Sequence, residues 1–218
     1  MTQTPLRPGL PPVPATILRL PRDERGYPIP WFVATLPDGT RDFRVMDEGR
    51  LHEAIRDRRC WTCGDYLSEH FAFVIGPMCA VNRVSAEPPS HVTCADFSVR
   101  ACPFLSRPKA LRREANKPEG LKAPAGFAIP RNPGVALVWI TSSYQVFRPE
   151  AGGSGVLFQI GRPHGLLWFA EGRSATRAEI LDSINSGLPL LREVAEKEGP
   201  DAVAALAAQT SAALKLVP

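Results

Sequence analysis

All five cysteines of this chain fall between Cys60 and Cys102, and they open as Cys60-Trp61-Thr62-Cys63-Gly64. Two cysteines at this spacing ahead of a glycine predict a tight knuckle that aims both sulfurs at one point. Gly64 supplies the positive backbone angle that such a turn often needs. Further on, Ser90-His91-Val92-Thr93-Cys94 repeats the spacing where a helix should begin, and residues three apart on a helix share a face. Two matched pairs of Cys and His donors are what a tetrahedral Zn2+ site requires. Cys60, Cys63, His91 and Cys94 are therefore the predicted ligands, with Cys79 and Cys102 as substitutes for one of them. Four protein ligands leave no position for water, so such an ion is structural and contributes folding free energy rather than chemistry. The competing reading is a set of buried free thiols packing as small hydrophobes.

The chain of 218 residues is long enough for one large domain or two small ones. No apolar run approaches the ~20 residues that span a bilayer, and Met1 to Pro14 lacks the basic and apolar regions of a secretory leader. A cytoplasmic setting follows, in which thiols rather than disulfides are expected. The 23 prolines are about twice the usual share, which predicts much irregular backbone.

The chain divides into a disordered, proline-rich start (1–20), a zinc module (21–105), a basic proline-rich linker (106–133) and a sheet with C-terminal helices (134–218). In the module, Pro37-Asp38-Gly39-Thr40 between two β-rich runs predicts a hairpin. Asp47 is placed to cap a helix carrying Leu51, Ala54 and Ile55. A strand is expected over His70–Ile75, a weaker one over Cys79–Val84, then a helix from a Ser90 cap to Ala101. Knuckle, hairpin and helix in that order are the plan of a treble clef. In the last part, the unbroken apolar run Val135–Ile140 predicts a strand covered on both faces, with further strands at Tyr144–Phe147 and Val156–Ile160. Thr176-Arg177-Ala178-Glu179 is a capping box opening a helix that Gly187 and Pro189 should break or kink. Gly199-Pro200-Asp201 starts an alanine-rich helix. The fold class is α+β.

The net charge of +4 is concentrated. Arg107 to Arg131 carries seven basic residues against two acidic, and the remainder is close to neutral. Arg107, Lys109, Arg112 and Arg113 follow the zinc helix directly and are the candidate contacts to DNA or RNA phosphates; a solvated linker is the plainer alternative. A ββα-metal (HNH) nuclease, built on the treble clef, is the enzymatic alternative, with His70 activating water and Asn82 assisting. Against it, Ala95-Asp96 stands where that family carries a further His or Asn. A third reading is an adaptor for a host or phage protein.

Cys60–Gly64, Val74–Cys79, Glu87–His91 with Cys94, and Ala101–Leu105 together resemble a family of uncharacterised bacterial and phage-encoded proteins. The likeness extends through Asn132–Val135 and Trp168–Arg173. It implies a small phage- or prophage-associated protein and one integrated unit. The expected function is a non-catalytic, zinc-stabilised binding protein.

Overall fold

In the computed structural model, residues 4–107, 132–149 and 155–218 are described. In chain order the elements are α1 (Ala15–Leu18), β1 (Val33–Thr35), β2 (Arg41–Met46), α2 (Glu48–Arg56), β3 (Phe71–Ile75), α3 (Pro77–Asn82), β4 (Val84–Ser85) and α4 (Val92–Ala101). The second half supplies β5 (Ala136–Thr141), β6 (Tyr144–Phe147), β7 (Leu157–Ile160), β8 (Gly165–Ala170), β9 (Arg173–Ser174), α5 (Arg177–Glu198) and α6 (Pro200–Leu214). The protein is α+β, with every strand pairing antiparallel.

The organising element is β5, central in the sheet β3-β5-β8-β9. Its alternate side chains enter two different cores. Leu137 and Trp139 join Phe71, Phe73, Phe158, Ile180 and Ile184 on one side. Ala136 and Val138 join Ala72, Phe169 and the Ala95 and Val99 of α4 on the other. A strand apolar at consecutive positions is stable because both faces are shielded from water. Alanines at 72, 95 and 136 let α4 approach the sheet closely, and Ala95 is fully buried. Because β3 from the cysteine-bearing segment pairs with β5 along its length, the first and last parts of the chain share one sheet.

The hairpin β1–β2 forms as expected, with Gly39 at φ 82° in its turn. The Asp47 side chain accepts from the Arg50 N–H and caps α2. Three expectations about this region are corrected. Cys79–Val84 is not a strand: Pro77 stands in the first turn of α3, where its missing N–H costs nothing. The left-handed Arg83 then ends that helix before β4. The treble-clef hairpin is consequently not formed between knuckle and helix, since β3 pairs with β5 and β4 pairs with β7. Ser90 is not the cap of α4; His91 holds that position, and the Ser90 hydroxyl instead lies 2.9 Å from Thr62 Oγ1.

Two further observations concern the two ends. Within the proline-rich start, several of residues 4–20 make specific contacts with the rest of the chain. Arg7 N–H donates to Gly26 O at 3.0 Å, the Arg22 guanidinium holds Thr4 O at 2.8 Å, and Ile17 is 1% exposed. The expected break at Gly187 and Pro189 does not occur, since helix α5 continues through both. Gly187 faces Met78 of α3, where a Cβ would come within 2.6 Å of the sulfur. The glycine thus serves close helix packing. Strand β8 was not anticipated by the residue pattern, because a short apolar run such as Leu166–Ala170 does not separate strand from buried helix.

Candidate metal centre

Two backbone segments converge on one point. In the knuckle, Cys60 N–H donates to Asp65 O at 2.6 Å and Gly64 N–H to Cys60 O at 2.9 Å, closing a turn around residues 60–65. Gly64 sits at φ 82°, and a Cβ there would lie 2.7 Å from the Trp31 ring. The knuckle is then tied to the segment entering α4: Trp61 N–H donates to Pro89 O at 3.0 Å, and Ser90 pairs with Ala72 of β3. That pairing positions His91 and the first turn of α4 over the knuckle sulfurs.

As a result the donor atoms of Cys60, Cys63, His91 and Cys94 all lie within 4.8 Å of one another. His91 Nδ1 is 3.4 Å from Cys63 Sγ and 3.9 Å from Cys94 Sγ. The other ring nitrogen, Nε2, lies 2.9 Å from the Tyr66 carbonyl. A carbonyl only accepts, so Nε2 carries a proton and Nδ1 is the nitrogen that faces the sulfurs, the orientation usual for a ligating histidine. Backbone N–H groups of Cys63 and His91 reach Cys60 Sγ at 3.5 and 3.3 Å, favouring a thiolate there. All three cysteines are buried.

The four groups share protons unevenly. Burial pushes the Cys60 thiol up, but hydrogen bonds from Cys63, Cys94 and His91 outweigh it and hold Cys60 far below an ordinary thiol. The His91 imidazole is raised to about 11, chiefly by its hydrogen bonds with Cys60 and Cys63. Cys94 is held up, first by hydrogen bonding with Cys60 and then with Cys63 and by burial. A metal ion entering such a cluster displaces protons, because only thiolates and a neutral imidazole ligate. These four residues are close enough to bind a metal ion.

The remaining predicted residues lie elsewhere. Cys79 is on α3 against the main core, its thiol pushed up to about 11 by burial. Cys102 is the C-cap of α4, at the opposite end from His91. Neither belongs to the donor cluster. His70, just before β3, meets His164 edge-to-face with ring centroids 5.0 Å apart. The Asn82 side chain accepts from Val84 N–H at 3.0 Å and shapes a turn. Ala95 is buried against the sheet and Asp96 pairs with Arg100 at 3.0 Å. Arg107 is exposed, whereas Lys109, Arg112 and Arg113 lie outside the described residues. Asn132 donates to the carbonyls of Phe104 and Arg107 at 2.6 and 2.8 Å, so the described residues on either side of 108–131 meet at one place.

Sequence reasoning missed the cover. Ile17 and Leu20, in and after α1, pack with Cys60, Cys63, Cys94 and Phe97. Thr16 Oγ1 lies 3.5 Å from Cys94 Sγ, and Arg19 forms an ion pair with Asp65 of the knuckle. The available signal was Ala15-Thr16-Ile17-Leu18-Arg19-Leu20 after Pro14, a short apolar-polar alternation behind a helix-start proline. Comparison with protein-family models, with curated proteins and with solved structures yields no match. Among the described residues, no helix is long and apolar enough to cross a membrane.

Proposed function

We propose that the protein is a zinc-stabilised binding protein without catalytic chemistry of its own, and that its partner is nucleic acid. The observation that carries the first part is the donor cluster. Zinc with sulfur at about 2.3 Å and nitrogen at about 2.0 Å sets tetrahedral donors roughly 3.5–3.8 Å apart. The Nδ1 to sulfur separations of 3.4 and 3.9 Å bracket that spacing. Three soft thiolates and one imidazole favour zinc over hard, oxygen-preferring cations. With four protein donors and Ile17 and Leu20 over them, the ion has no open coordination position for substrate.

The nucleic-acid part is supported by charge. The segment from Arg107 to Arg131 concentrates the chain's positive charge, and Asn132, the residue after it, is hydrogen-bonded to the Arg107 carbonyl just beyond α4. Cationic residues grouped in this way neutralise phosphates and release counterions, so affinity should fall steeply with salt. The setting we propose is the phage or prophage context implied by the resemblance; a gene lying outside any prophage region in its host genome speaks against it. A host or phage protein as partner is the second reading, favoured by the exposed C-terminal helix pair.

Elemental analysis of purified protein should return one zinc per chain. His91→Cys should keep it, whereas His91→Ala and Cys94→Ser should not. Affinity for DNA and RNA measured across a salt series should show a steep slope. Replacing Arg112 and Arg113 by Ala should flatten it by about two phosphate contacts. Protein without stoichiometric metal, or with negligible affinity for either nucleic acid at low salt, overturns the respective half of the proposal.

A further inference from the structure

The knuckle that carries two of the metal ligands also presents the most exposed aromatic ring among the described residues. Tyr66 is 67% solvent-exposed, whereas Trp61, Trp139 and Trp168 are buried. Tyr66 is held rigidly for so exposed a residue. Its backbone bridges to Arg59, its carbonyl receives the His91 Nε2 proton at 2.9 Å, and the following residue, Leu67, donates from its N–H to Arg58 O at 2.8 Å. The ring is also oriented from the side: the Arg59 guanidinium lies over it at 4.5 Å from the centroid and reaches the Tyr66 hydroxyl at 3.4 Å. Arg59 is fixed in turn by the Gly64 carbonyl at 3.1 Å.

The Tyr66 ring is backed by a cation and open to solvent. A planar π-system of matching size and little charge of its own is the complementary ligand. Nucleobases have that character, and stacking on tyrosine and arginine planes is how unpaired bases are held. Bases inside a duplex are stacked on each other and unavailable. The surrounding charge points the same way. Arg59 Nε is 3.9 Å from both Glu53 and Asp57, and Arg56 pairs with Asp57 at 2.7 Å. These carboxylates offset most of the local positive charge, so the patch is poorly suited to gripping a duplex backbone. Stacking is the contribution it can make.

We propose that Tyr66, backed by Arg59, is a stacking platform for an unpaired base, which makes the preferred ligand single-stranded nucleic acid. The proposal rests on the nucleic-acid reading above and adds its strand preference and contact residue. It also separates two contributions: phosphate contacts from the basic segment carry the salt dependence, and Tyr66 carries affinity that is nearly independent of salt.

The test uses the full-length, metal-loaded protein and two labelled probes, a 20-nucleotide single strand of mixed sequence and the duplex of the same length. Tyr66→Ala should weaken single-strand binding about tenfold, leave duplex binding unchanged, and leave the slope of log affinity against log salt as in the parent. Tyr66→Trp should bind the single strand at least as well as the parent, with indole emission quenched on binding. Metal content and thermal midpoint of Tyr66→Ala should match the parent, since the contact to His91 is made by the backbone. Equal affinity of parent and Tyr66→Ala for the single strand overturns the platform while the nucleic-acid reading stands. Equal weakening toward both probes also overturns it. A parent that binds neither probe at low salt overturns both, and leaves this surface to a protein partner.

Discussion

At the scale of single residues, the centre depends on where protons and Cβ atoms are. His91 turns Nδ1 toward the sulfurs because the Tyr66 carbonyl holds the proton on Nε2. Gly64 is constrained twice, by a backbone angle that residues with a Cβ rarely adopt and by the Trp31 ring against which a Cβ would press. An indole face cannot swing aside as a flexible chain end can. Gly64→Ala should therefore cost roughly 1–3 kcal/mol from the backbone alone, with the contact to Trp31 adding to it. A urea-unfolding series should show a lower midpoint, and a colorimetric chelator should extract metal faster than from the parent. An unchanged midpoint would mean that the knuckle relaxes freely, contrary to its bonds with Asp65 and Pro89.

At the scale of elements, α5 shows how local chemistry fixes a boundary. Thr176 accepts from Glu179 N–H, and the Glu179 carboxylate returns to Thr176 N–H at 2.7 Å, so two otherwise unpaired donors are satisfied. The Arg173 guanidinium, bonded to Glu179 at 2.6 Å, is the first cause holding this carboxyl at about 2, followed by the bonds from Thr176. A carboxyl lowered on folding stabilises the native state above its unfolded value, near 4.3, and that contribution is lost as pH falls toward 2. Thermal midpoints between pH 5 and pH 2 should fall less steeply in Glu179→Gln than in the parent, and parallel curves would refute the linkage. Thr176→Ala should cost about 1 kcal/mol at neutral pH. The capping box was legible from four residues. The course of α5 through Pro189 was not, because a proline usually ends a helix and packing on α3 and α6 overrides that tendency here.

At the scale of the whole molecule, the metal centre is not a bead on a linker. It sits where α1, the knuckle and α4 meet, and α4 lies on the sheet that β3 and β5 build together. Ile17 is 1% exposed and contributes to the hydrophobic cluster that contains Cys60, Cys63 and Cys94. Ile17→Ala should cost roughly 2–5 kcal/mol by loss of transfer energy and creation of a cavity. Metal release to a chelator should accelerate in parallel. Hydrogen exchange is the discriminating readout. Chelation of the parent should raise exchange in residues 13–20, 60–67 and 91–97 well before β5. Uniform loss of protection would show instead that sheet and centre unfold as one cooperative unit.

What the residues alone determine here is local. Spacing of Cys and His, an Asp or Thr ahead of a helix, and an Asp-Gly turn each act over a few positions, and the four-residue Cys/His cluster, the α2 and α5 starts and the first hairpin could be read from them. Tertiary structure decided what depends on partners distant in the chain. It made Pro77–Asn82 a helix against α5 and α6, sent β3 to β5 instead of into a treble-clef hairpin, and brought Ile17 and Leu20 of the proline-rich start onto the Cys/His cluster. In each case the deciding energy is burial of apolar surface against residues dozens of positions away, which no local pattern encodes.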